Sequence, residues 1–145
     1  MNTMPTVAEN TKLLIQAAGR GDVVEVRRLI PISDPKLQES AALQLAVYYG
    51  HIECVALLVP VSDCTVGGSA PLWMATGRRN RECMELVFDH SDLHHVLEFL
   101  KQHGDRKGNE DLYHFFENFM AERQQRILHQ ALDTQTGHKT LARKM

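Results

Sequence analysis

The chain has 145 residues, 43% hydrophobic and 23% charged, with a net charge of -2. This is the composition of a globular chain large enough for one core of ordinary size. The near-neutral balance gives no global reason to expect nucleic acid or anionic lipid as a partner. No run approaches the roughly 20 apolar residues of a membrane span, and three widely spaced cysteines fit a reducing cytoplasm better than a disulfide framework.

The opening "MNTMPTVAENTK" is polar and lacks the apolar stretch of a secretory signal. After it, one pattern recurs at a step of 29 residues. Ala17, Ala46 and Ala75 mark it, as do Gly21 and Gly50, Pro31 and Pro60, Glu53 and Glu82, Cys54 and Cys83. Ser33-Asp34 returns as Ser62-Asp63 and Ser91-Asp92. Periods of roughly 20–50 residues mark stacked repeat architectures. Each copy reads helix, turn, helix. In the second, Leu43, Ala46 and Val47 lie at helical spacing and Tyr49-Gly50 ends the segment. Ile52, Val55, Leu58 and Val59 form a second stripe, closed by Pro60. Helices shorter than ~12–15 residues are marginal alone, so neighbouring copies must bury each other's apolar faces.

After Asp92 the period lapses. A helix capped by Asp92 carries the stripe Leu93, Val96, Leu97 and Leu100 and ends at Gly104, and "DRKGNE" reads as a turn. A longer helix is expected from about Asn109 to Leu132, with Leu112, Phe116, Phe119 and Met120 on one side, continued by Ile127, Leu128 and Leu132. An open stack needs a terminal unit with one polar face, and this pair suits that purpose. The organisation expected is one domain over 1–145, with repeats over 11–92, a helical cap over 93–132 and a flexible tail over 133–145.

The repeated segment resembles the ankyrin repeats. "APLWMA" (70–75) matches the T-P-L-H-x-A opening, with Ala70 for Thr and Trp73 for His. "AALQLAVYYGHIECVALLV" (41–59) looks like a near-consensus helix pair, and "LLIQAAGRGDVVEVRRLI" (13–30) like a divergent first copy with Leu13 in place of the motif's Pro. The resemblance implies an all-α, helix-turn-helix solenoid of about three repeats. A step of 29 is shorter than the family's usual period of about 33. The missing residues fall in "SDPKLQE" and "SDCTVGG", where the family places its β-hairpin finger, so those fingers are expected to be cut to tight turns. "ISDPK" followed by a near-consensus copy also resembles repeats of bacterial proteins.

Candidate chemistry is sparse. "DHSDLHHVLE" (89–98) puts His94 and Glu98 on one helical turn with His90 and Asp92 nearby, a spacing that zinc sites use. Without a Cys pair or an HExxH pattern, a solvated helix face explains it better. Cys54 and Cys83 share one slot midway along the second helix and read as small apolar packing. Cys64 falls in an exposed-looking turn with no His or basic partner to activate it. Trp73 is expected in the core, because the motif slot it fills is mostly buried in the family. No glycine-rich phosphate loop, Ser-His-Asp order or paired catalytic carboxylates appear, so the chain is read as non-enzymatic and without a cofactor.

"TGRRNRE" (76–82) holds Arg78, Arg79 and Arg81. In the family this inter-helix turn borders the concave face, as do the equivalent Tyr48-Tyr49 and Arg20. Arginine and tyrosine are enriched at interaction hot spots. Arg20, Tyr48, Tyr49, Arg78, Arg79 and Arg81 are therefore the expected partner-binding set, suited to an acidic protein surface. The function expected is a monomeric, cytoplasmic, non-catalytic scaffold for protein–protein interaction. By analogy it suits a bacterial inhibitor or immunity protein that neutralises a toxin. The alternatives are an injected effector adaptor and a metal-binding protein using His90, His94 and Glu98.

Overall fold

The computed structural model describes the backbone of residues 3–103 and 111–144, and side chains as far as residue 135. The described residues form eight α-helices and two short 3-10 turns, with no strand. The repeats appear as the pairs α1 (Val7–Arg20) with α2 (Val23–Leu29), α3 (Leu37–Tyr48) with α4 (Ile52–Leu58), and α5 (Val66–Gly77) with α6 (Arg81–Phe88). Two further helices follow, α7 (Leu93–His103) and α8 (Leu112–Lys144). An inner row of α1, α3, α5 and α7 stacks helix on helix, and α2, α4 and α6 stack beside it. The chain is the all-α solenoid that the period implied, with helices at its C-terminal side.

Local chemistry sets the boundaries. Thr6 caps α1 by accepting from the Glu9 amide (3.1 Å), Asp22 caps α2 through Glu25, and Asn80 caps α6 through Cys83. Pro31 and Pro60 sit in the 3-10 turns Ile30–Ile32 and Val59–Val61, where the missing amide stops each outer helix.

The shortened connections repeat one hydrogen bond. The Asp34 amide donates to Thr11 Oγ1 (2.9 Å), Asp63 to Ser40 Oγ (2.9 Å) and Asp92 to Ser69 Oγ (2.7 Å). Each hydroxyl is buried, so an unmade bond would cost about 1–3 kcal/mol. Each aspartate then accepts from the amide two residues on, at Lys36, Thr65 and His94. That accounts for the recurrent aspartate. The chain next makes a left-handed turn within the first residues of α3, at Gln38–Ser40 (φ 54° to 57°), and of α5, at Gly67–Ser69 (φ 58° to 68°). These turns replace the fingers, as expected.

One apolar cluster runs from Leu14 to Phe119. Leu29, Leu43, Leu58, Leu72 and Met84 are fully buried in it, each gaining roughly 1.5–3 kcal/mol from burial. Val96 and Leu100 of α7 and Leu112, Phe116 and Phe119 of α8 join the same cluster.

Several expectations need correcting. Trp73 is half-buried, not core. Its indole N–H donates to the Gly67 carbonyl (3.2 Å), and Gln44, one copy earlier, donates to that of Glu39 (2.6 Å). The slot serves the left-handed turn and so stays near the surface. Cys64 is buried, and the apolar Pro35 and Leu93 one step either way are half-buried. The last helix runs twelve residues past Leu132, to Lys144, through most of the stretch expected as a tail. Gly104 and the turn over 105–110 lie outside the described residues.

Candidate protein-binding face

The inter-helix turns are built alike. The inner helix closes with an amide just beyond it donating to the carbonyl five residues back: Asp22 to Ala17, His51 to Ala46 and Asn80 to Ala75, all 2.9 to 3.0 Å. This closure needs a left-handed residue, supplied by Gly21 (φ 75°), Gly50 (φ 73°) and, in the third copy, Arg79 (φ 54°). At Gly21 a Cβ would also come within 2.6 Å of the His51 ring. Arg79 therefore occupies a glycine position at a cost of about 1–2 kcal/mol.

The structure divides the expected binding set. Arg78 lies 4.0 Å over the Tyr48 ring, and Tyr48 meets Tyr49 edge-to-face at 5.0 Å between centroids, so these three come together. Both tyrosines are exposed, Tyr48 by 45% and Tyr49 by 58%. Arg79 and Arg81 turn instead toward α8, where both guanidinium groups face Phe115 at 5.1 and 5.0 Å. Arg81 is also paired with Glu122 (2.6 Å), which ties α6 to α8. Arg20 stands at the first copy with Asp22 4.0 Å away. Among the described residues no carboxylate lies within ion-pair distance of Arg78 or Arg79.

Beside Tyr48 and Arg78 opens a groove of about 590 Å³, lined also by Trp73, Met74, Phe99 and Leu112. Trp73 stacks on Phe99 at 4.4 Å. Sequence reasoning missed this groove, since it placed Trp73 inside and read α7 first as part of a cap. The donor shared by Gln44 and Trp73 at one repeat slot is the signal that would have found it.

The His-Glu cluster does not assemble. Asp92 accepts from the His94 and His95 amides and pairs with the His95 ring (2.9 Å), which holds its carboxyl below the usual carboxylate range. Glu98 turns to Lys101 (3.7 Å), and His90 and His94 are exposed. Among the described residues no three His, Cys, Asp or Glu side chains are placed to hold a metal ion. Burial and the Asp63 charge push the Cys64 thiol up to about 11, and burial with the Glu82 charge does the same for Cys83. Both thiols are suited to packing and unsuited to nucleophilic work. No helix among the described residues is long and apolar enough to cross a membrane.

The helix pairs stack as successive repeats, with an aromatic and cationic edge exposed. The family described as "Ankyrin repeats (3 copies)" matches residues 14–96, more than half of the chain. The chain belongs to the ankyrin-repeat family, whose members are generally non-catalytic protein–protein interaction modules. Comparison with curated proteins and with solved structures gives no match.

Proposed function

We propose that the chain is a non-catalytic scaffold that binds a partner protein through the surface around Tyr48, Tyr49, Arg78 and Arg79, against an acidic patch on the partner. The observation that carries this reading is the Arg78–Tyr48 stack, exposed and without a neighbouring carboxylate among the described residues. Rigid aromatic area beside an open guanidinium is the composition of an interaction hot spot. A preordered stack loses little conformational entropy on binding, so modest contacts give useful affinity. In this reading Arg81 supports α8, Arg20 lies at the periphery, and α7 with α8 forms the terminal unit of a monomeric stack. The use that fits best is a cytoplasmic bacterial inhibitor or immunity protein holding a toxin, with an injected effector adaptor as the alternative. The short "ISDPK" connections, which resemble bacterial repeats, support it.

The test is capture of the partner from native extract by the parent chain and by the double variant Arg78→Glu, Arg79→Glu. Exposed turn charges contribute little to folding, so the melting point should hold. Binding should weaken by at least ~2 kcal/mol through like-charge repulsion. A folded double variant that binds at full strength would move the site elsewhere, and α8 between Tyr113 and Arg126 would be examined next.

A further inference from the structure

We infer that the groove between α3, α5, α7 and α8 takes a segment of the partner that presents one large apolar side chain closely followed by a carboxylate. This rests on the protein-binding reading and names the chemistry of its ligand. The floor is apolar: Trp73 stacked on Phe99, with Met74 and Leu112 beside them, in a space of about 590 Å³. That lies within the roughly 300–1,000 Å³ of pockets that enclose compact ligands.

The rim is cationic. Arg78 lies 4.0 Å over the Tyr48 ring, which orients its guanidinium while leaving it exposed, and among the described residues the groove lining contains no acidic side chain. Arg79 brings a second cation to the α8 side, from the left-handed position that glycine fills at residues 21 and 50. An arginine held at a strained glycine position is the kind of outlier that marks a functional site. Tyr48 and Gly77, the last residues of α3 and α5, line the groove and bring about half a negative charge each, and Leu112 at the amino end of α8 about half a positive one, so Arg78 and Arg79 leave the described rim positive. One carboxylate answers that, with paired N–H donors from Arg78. A nucleic-acid strand is the poorer match, because it needs several cations in a row and the whole chain carries a net charge of -2.

The experiment selects a random-peptide display library on the full chain. Enriched peptides are then titrated while the emission of Trp73, the sole tryptophan, is followed. They are expected to share an Asp or Glu close after an apolar residue, to shift the Trp73 emission, and to bind Arg78→Glu at least ~10-fold more weakly. Selection on Arg78→Glu should return Lys or Arg where the acid stood; if that variant misfolds, Arg78→Gln gives the same loss of binding. A polydeoxythymidine strand titrated in parallel should leave the emission unmoved. Enriched peptides without acids, peptides that do not move Trp73 emission, a strand that does, or a selection that enriches nothing each overturn the inference. Peptides bound elsewhere would sink the groove and leave the scaffold standing, whereas a chain that captures no partner protein would remove the scaffold itself.

Discussion

The second copy should become more stable when Gln38 and Glu39 are both replaced by glycine. They adopt φ 54° and 57° in the left-handed turn at the start of α3, where the third copy has Gly67 and Gly68. A non-glycine residue there costs about 1–2 kcal/mol. Glycine removes most of that cost but gives the unfolded chain extra freedom, worth roughly 0.4–1 kcal/mol. Both side chains are exposed, and the Glu39 contact to Gln44 runs through its carbonyl, so little else is lost. The net gain is about 0.5–1 kcal/mol per site and ~1–2 kcal/mol for the pair. The reverse changes should separate. A Cβ at Gly67 would sit 3.3 Å from that of Ala70, while one at Gly68 meets His95 at an ordinary 3.9 Å. Gly67→Ala should therefore cost more than Gly68→Ala. Urea unfolding reads both series as a shift in midpoint at constant slope. A double-glycine variant less stable than the parent would refute the left-handed turn.

Leu58→Ala, fully buried in α4, should lose ~2–5 kcal/mol in the same melt, and a loss under ~1 kcal/mol would mean that this face of α4 is not core. Arg123 joins α8 to α6 by bonding Glu85 (2.9 Å) and both oxygens of Asp89 while lying 4.5 Å over Phe88. Its partners are partly exposed, so Arg123→Ala should cost only about 1–2 kcal/mol, and limited proteolysis should cut α8 sooner than in the parent. Asp92 is held below the usual carboxylate range first by its bond to His95, so its contribution is present above the unfolded carboxylate pKa and is lost as pH falls through the lower folded value. Asp92→Asn should flatten the acid side of the stability–pH curve, and an unchanged curve would refute the pairing.

The stack was legible because its core repeats. Ala17, Ala46 and Ala75 and the aspartates Asp34, Asp63 and Asp92 return at fixed spacing because the same burial and the same hydroxyl-to-amide bond return with them. Slots that are chemically mixed were misread. Trp73 was expected in the core because its motif slot is mostly buried in the family, yet its position is set by an N–H donor of the kind that Gln44 also supplies. Cys64 looked exposed because it stands in a polar turn, although Pro35 and Leu93 at the same slot are both apolar. The candidate site was half legible. Tyr48, Tyr49 and Arg78 do meet, but the direction taken by Arg79 and Arg81 depends on Phe115 and Glu122, which are remote in sequence and outside the period. Nothing in a repeat unit encodes what the helices beyond it will offer.

The recurrent bond from a buried hydroxyl to an aspartate amide also acts as a ruler. Each spans 23 residues, from Thr11 to Asp34, Ser40 to Asp63 and Ser69 to Asp92. One residue inserted or deleted between a hydroxyl and its amide pulls that pair out of reach and strands a buried polar group. Excising or duplicating a block of 29 leaves every hydroxyl opposite an aspartate. Along this chain, length can drift only in whole copies, and lineages sharing this device should differ in repeat number while keeping the spacing within each repeat.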